Sequence, residues 1–161
     1  MVSLRPYTAA DEREIIPFII SFWYAHHAQT DEANAREDIR EWTKEGHDFF
    51  VIVNGEEPAG FLHLNMRGAT VCWIEDVFVS ESLRRPGIAS KAIRLAEGIL
   101  RERGVKGISM DVVPDNLPAL KLYHRLGYDR LSIVTVRKDF DDFDTERTEV
   151  IAGLPFRVRR F

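Results

Sequence analysis

Three groups of residues have types and spacing that can do chemistry. The first is Arg84-Arg85-Pro86-Gly87-Ile88-Ala89, lying between a strand that ends near Val79 and a long helix. A loop in that position aims several backbone N–H groups at one point, at the positive end of the helix dipole. Gly87 admits a ligand against bare backbone, Ala89 is nearly as small, and Arg84 and Arg85 bring cations suited to phosphate oxygens. The segment reads as an anion site fit for a pyrophosphate. The competing reading is an ordinary loop with two solvated arginines. Pro86 has no N–H, so one potential donor is missing.

The second group is the run Asn116 to Tyr128, which opens with an amide side chain at a helix start and places Tyr123 one turn after Ala119. A phenol with a pKa near ~10 stays protonated at neutral pH and can act as a general acid. The plain alternative is an aromatic packed on a helix face. The third group is Glu75-Asp76, set in the β-rich run Thr70 to Val79. Neighbours along a strand face opposite sides, so alternation predicts that one carboxylate points inward, although a bulge would upset the count. Burial would raise the pKa of Glu75 toward that of a useful base. A substrate-orienting or structural carboxylate is the other reading, and alternation sends Asp76 to the opposite side. His26-His27 and His63 could line an acceptor pocket, with Trp23, Tyr24 and Trp73 as an aromatic wall or as plain core. No histidine pair has a metal-ligand spacing beside a third ligand, so no metal is expected.

The elements that must position these groups follow from periodicity. Leu4 to Tyr7 reads as a strand. Thr8 can cap the helix that follows, with Asp11 and Glu12 in its first turn, and Pro17 should kink or restart it. A second helix runs from about Ala33 to Glu45. Asp48–Val53, Gly60–Asn65 and Thr70–Val79 read as an antiparallel meander turning at Asn54-Gly55 and Arg67-Gly68. Ile88, Ala92, Leu95, Ala96, Ile99 and Leu100 follow the 3.6 period of a helix from about Gly87 to Arg103. Gly107–Val113 is an apolar strand, Leu117–Leu126 a short helix ended by Gly127, and Tyr128–Lys138 a further strong strand. Strand, helix, strand around Gly104 makes a parallel βαβ unit. The result is a mixed α/β fold with an antiparallel front half, and one domain over residues 1–161 is the simplest parse. Glu149–Phe161 is apolar enough for one more strand. It could pair with this sheet or with another subunit, so a homodimer is one arrangement the tail allows.

Composition narrows the classes. The 161 residues are 45% apolar and carry 26 acidic against 22 basic side chains, for a net charge of −4. A weakly acidic chain argues against nucleic acid as a partner. The longest apolar run, Ile15 to Ala25, falls well short of the ~20 residues of a membrane-spanning helix. One cysteine, Cys72, allows no internal disulfide, and a cytoplasmic protein is expected. The total hides segregation. Residues 84–106 carry seven basic and two acidic side chains, net +5, whereas residues 31–48 and 138–149 are each net −4. The basic block coincides with the anion loop, and the acidic stretches could steer a cationic partner to another side.

Together the two motifs resemble the GNAT superfamily of acyl-CoA N-acyltransferases. Its loop pattern, Arg/Gln-x-x-Gly-x-Gly/Ala, is matched at Arg84, Gly87 and Ala89. Its later pattern, Asn-x-x-Ala-x-x-Leu-Tyr-x-x-x-Gly-Phe/Tyr, is matched at Asn116, Ala119, Leu122, Tyr123, Gly127 and Tyr128. The match covers about residues 73 to 138. It departs at Pro86 and at His124-Arg125, which stand where Glu-Lys is common. The resemblance implies a central twisted sheet with helices on both faces and an acetyl-CoA or other acyl-CoA donor. Val77, Phe78 and Val79 would lend backbone groups to the pantetheine arm, with an oxyanion donor near Val77 or Phe78. Amides from about Arg85 through Gly87, Ile88, Ala89 and Ser90 would cradle the pyrophosphate, and Asn116 would touch the pantetheine. Tyr123 falls at the family's tyrosine position, and Ile74 to Val79 is similar to the strand of diamine and polyamine acetyltransferases, with acids at both positions. The expected activity is acetylation of a small cationic primary amine by direct attack in a ternary complex. The alternatives are a protein or peptide acceptor, or a non-catalytic acyl-CoA-binding regulatory module.

Overall fold

Three runs of large apolar side chains, each alternating between two faces, build the middle of the five-stranded sheet. They form β2 (His47–Asn54), β3 (Glu57–Met66) and β4 (Val71–Val79), joined by tight turns. The computed structural model describes residues 1–83, 87–141 and 145–159. The chain divides into two units, Met1–Asp111 and Val112–Phe161.

In the first unit β1 (Val2–Pro6) pairs with β2, and the sheet order is β1-β2-β3-β4-β5, with β5 at Gly107–Ser109. The first three pairings are antiparallel and β4–β5 is parallel. The expected meander and βαβ unit are therefore present, but β5 is shorter than Gly107–Val113 and meets β4 only from Val71 to Trp73. One face of the sheet offers Phe49, Val51, Phe61 and Phe78. They pack with Ile15, Ile16, Ile19 and Phe22 of α1 (Glu12–Ala25) and with Ala35, Ile39 and Trp42 of α2 (Glu32–Trp42). By alternation Phe50, Ile52 and Leu62 bury against the other face. There α3 (Ile88–Glu102) packs on β1 and β4 with Ile88, Ala92, Ile93, Ala96 and Leu100 buried. Pro17 does not restart α1, which continues through it. Pro17 is exposed, so the carbonyl it leaves unpaired can be hydrated.

In the second unit α4 spans Leu117–Leu126, capped by the Asn116 side chain and closed by Gly127 at φ 99°. Tyr128–Lys138 forms no regular strand, contrary to its β-type composition. No described strand pairs with it, and a lone extended segment has no ladder to hold it. Leu131 and Ile133 stay 84% and 72% exposed. The tail instead pairs with itself. The antiparallel hairpin of β6 (Thr145–Ile151) and β7 (Leu154–Arg159) turns at Ala152 and Gly153, both at positive φ.

Two features of the first unit support direct tests. Gly60 lies opposite Val79, and a Cβ built there would sit 1.9 Å from the Phe78 carbonyl oxygen. Gly60→Ala forces β3 away from β4, and a loss of about 2 kcal/mol in chemical denaturation is expected; unchanged stability would refute this close approach. Asp11 accepts two hydrogen bonds from Arg5, at 2.6 and 2.8 Å, and two more at 2.8 Å from the Thr8 N–H and hydroxyl. These donors hold its carboxyl well below the usual carboxylate range, Arg5 contributing most. The folded-state pKa is lowered, so this stabilisation is complete above the unfolded value near ~4 and fades as the pH falls below it. Arg5 is 44% exposed and screened by solvent. Asp11→Asn should therefore lose only about 1 kcal/mol at neutral pH, with a gap that narrows in acid. A gap independent of pH would contradict the assignment.

Candidate active site

Strand β4 does not keep the simple alternation expected of it. Asp76 pairs with His63, but the next partner of β3, Leu64, pairs with Ile74, which leaves Glu75 as an extra residue. An extra residue re-aims the side chains around it. Asp76 touches His63, and Glu75 touches Asn65, two residues further along β3 and hence on the same face. Both carboxylates therefore lie on the α1–α2 side of the sheet, not on opposite sides.

Each has its own set of partners. Glu75 Oε1 accepts from Asn65 Nδ2 at 2.9 Å and from Arg67 Nε and Nη2 at 3.0 and 2.6 Å. Arg67 is itself fixed by lying 4.7 Å over the Trp73 ring. Among the described residues Oε2 accepts no hydrogen bond. Asp76 Oδ2 lies 2.8 Å from His63 Nδ1, and His63 Nε2 lies 2.8 Å from His47 Nδ1. His63 is 3% exposed and stacks between Trp42 and His47, with ring centroids 5.0 and 5.1 Å away. Burial, reinforced by His63, holds the His47 imidazole below the ordinary histidine value. Asp38 of α2 accepts the Trp23 indole N–H at 2.7 Å, and burial pushes its carboxyl up. Sequence reasoning did not single out His47, Asn65, Arg67 or Asp38. The signal for the first two was the β2–β3 register, which sets His47 opposite Asn65.

The elements on either side of the expected anion loop are β4 and α3. Beyond Trp73 no described strand pairs with β4 on the side away from β3. Val77, Phe78 and Val79 end that strand, Phe78 anchored 5.8 Å from Phe61. Gly87 caps α3 in the left-handed region at φ 98°, a backbone state that glycine adopts without strain. The N–H groups of Ile88, Ala89 and Ser90 open the helix and have no intrahelical acceptor. Arg84 and Arg85, with Pro86, lie outside the described residues.

In the second unit Asn116 Oδ1 accepts from the Ala119 N–H at 3.2 Å, so its carbonyl caps α4. Tyr123 is half-buried on α4, its ring edge-on to Tyr128 with centroids 6.3 Å apart. Of the other histidines, His26 Nδ1 meets the Phe22 carbonyl at 2.8 Å as a helix-end contact, and His27 follows at φ 57°. Tyr24 is 57% exposed. Among the described residues no three His, Cys, Asp or Glu are grouped to hold a metal ion, and no helix is long and apolar enough to cross a membrane. A shallow cleft of about 420 Å³ lined by Arg13, Ile16, Pro17 and Arg36 lies apart from these groups. Its Arg36 is paired with Glu12 and Glu32 at 3.0 and 3.2 Å.

No curated protein matches the sequence. Solved structures match the fold. A transcriptional regulator from Bacillus halodurans C-125 is 21% identical with a TM-score of 0.70, over 87% of this chain and 100% of its own. Aminoglycoside acetyltransferase AAC(6')-Iy, solved with the bisubstrate analogue CoA-S-monomethyl-acetylneamine, is 19% identical with a TM-score of 0.70, over 86% and 99%. The aminoglycoside 6'-N-acetyltransferase AAC(6')-IG from Acinetobacter haemolyticus is 18% identical with a TM-score of 0.68, over 86% and 99%. The sequence itself matches the acetyltransferase (GNAT) family over residues 13–128, most of the chain. The chain belongs to the GNAT family of acetyltransferases.

Proposed function

We propose that this acetyltransferase moves the acetyl group of acetyl-CoA to the primary amine of a small cationic molecule by direct attack in a ternary complex. The observation that carries this reading is the bulge in β4, which brings Glu75 and Asp76 to one face beside Asp38. A cationic amine is drawn to such a face. The acceptors named for the aminoglycoside acetyltransferases of similar fold are of that chemical kind.

The acyl donor takes the edge of β4 from Val77 to Val79, where an extended pantetheine arm can hydrogen-bond as an added strand does. Its pyrophosphate takes the N–H groups of Gly87, Ile88, Ala89 and Ser90, with Arg84 and Arg85 as counter-charges. Asn116 contributes its amide to the pantetheine. Glu75 Oε2 receives the amine, as base or as anchor, while Asn65 and Arg67 hold Oε1. Neutral amine attacks the thioester carbon, forming the C–N bond and an oxyanion met by an N–H near Val77 or Phe78. Collapse breaks the C–S bond. Tyr123 gives its hydroxyl proton to the departing thiolate and regains one from the attacking nitrogen. A second reading, a regulatory module that binds acyl-CoA without turnover, draws on the similar fold of a protein described as a transcriptional regulator.

The test is free-thiol release from acetyl-CoA with spermidine, lysine, neamine and short peptides as acceptors. Release with a polyamine, lysine or neamine is expected. Tyr123→Phe should lower kcat about 10²-fold with little change in the KM for acetyl-CoA. Binding of CoA without release from any acceptor would favour the regulatory module, and full activity in Tyr123→Phe would remove the acid assignment.

A further inference from the structure

Of the hydrogen-bonded chain Asp76–His63–His47 the account above uses only the charge of Asp76, and a neutral His63 fixes the polarity of the chain. A carboxylate only accepts hydrogen bonds, so His63 must donate its Nδ1–H to Asp76. In a neutral His63, Nε2 is then the acceptor, and its partner 2.8 Å away, His47 Nδ1, is the donor. In that state the tautomers are set along the chain, and the basic lone pair emerges at His47 Nε2. Exposure follows the same direction. His63 is buried, whereas His47, at the start of β2, is only half-buried. Trp42 stacked on His63, and His63 on His47, keep both rings from rotating out of line.

We propose that His47 Nε2 is the general base that takes the proton of the acceptor ammonium, with His63 and Asp76 as positioning residues that fix its tautomer and support its charge. This rests on the acetyl-transfer reading and assigns Glu75 to anchoring. The proton balance closes. The ammonium gives one proton to His47, the amide keeps one, and the nitrogen's remaining proton replaces the one Tyr123 lends to the thiolate. His47 then releases its proton to solvent. As the imidazolium forms, its Nδ1–H strengthens toward His63, whose own Nδ1–H leans on Asp76, as in other base-orienting chains.

Other charges around His47 bear on when it titrates. Glu75 and Glu41 favour its protonated form, while Lys44 and His63 oppose it, and burial opposes it most. Glu41 and Lys44 are paired with each other, Arg67 with Glu75, and Asp38 stands near Asp76 and His63. The net direction is downward, so His47 is neutral and able to accept a proton across the neutral range.

The test joins kinetics to spectroscopy on the whole chain. Thiol release from acetyl-CoA is followed against pH with spermidine, lysine and neamine. The wild-type rate should show an acid limb falling below the ordinary histidine range. His47→Gln should lower kcat at least 10²-fold, abolish that limb, leave the KM for acetyl-CoA unchanged, and regain activity with added imidazole. Asp76→Asn should keep the limb but displace it. Because substitutions at buried His63 threaten folding, that residue is read in the wild type by long-range ¹H–¹⁵N NMR, which should find both histidines protonated at Nδ1. Full activity with an intact limb in His47→Gln, or a His47 protonated at Nε2, overturns the proposal. If His47→Gln is fully active while Tyr123→Phe is slow, acetyl transfer stands and the histidine base falls. If the wild type acetylates none of these amines, the parent reading falls and the base role falls with it.

Discussion

Strand β4 is hydrogen-bonded to β3 from Cys72 to Val79, while β5 joins its other edge only through Trp73. Backbone N–H and C=O groups in a protein interior seek partners. A strand with one edge satisfied and the other left without a strand is a template for an extended ligand. Gly60 permits this arrangement, since β4 runs so near it that no Cβ fits between them. The three parts of the acyl-donor site we propose, the edge itself, the Gly87 turn and the start of α3, succeed one another along the chain.

The bulge at Glu75 turns the same strand from a scaffold into a polar face. The apolar side chains of that face form an aromatic cluster centred on Phe61, whose ring meets those of Phe22, Phe49, Trp42 and Phe78. His63 is the next residue on the Phe61 row of β3, so the apolar cluster ends on an imidazole stacked against Trp42. A buried polar ring is costly unless its nitrogens are engaged, and both are. Packing and chemistry meet at that residue. The stacking that fills the core also holds a hydrogen-bonded chain in line between Asp76 and His47.

Where an element was set by its own residues, the sequence was legible. The Asn54-Gly55 turn, the 3.6-residue rhythm from Ile88 to Leu100, and the Asn116 and Gly127 helix ends all stand where their chemistry puts them. Where an element depended on a partner, local reading failed. Tyr128–Lys138 has strong β residues but no described strand beside it, and β5 is short because its pairing with β4 ends at Trp73. Pro17 stays within α1 because it lies on the exposed side. Glu75 and Asp76 share a face because β3 and β4 disagree in length by one residue, a property of two strands that neither shows alone. His47 was overlooked on the same ground, since its meaning comes from the ring 2.8 Å away on the next strand.

The most direct measurement of the central claim is residue-resolved hydrogen–deuterium exchange with and without saturating acetyl-CoA. If the acyl donor adds to the edge of β4 away from β3 and to the start of α3, exchange slows at the amides of Val77–Val79 that face away from β3 and at Ile88, Ala89 and Ser90. Exchange unchanged at those amides, with protection appearing instead at the cleft between Arg13 and Arg36, would contradict it.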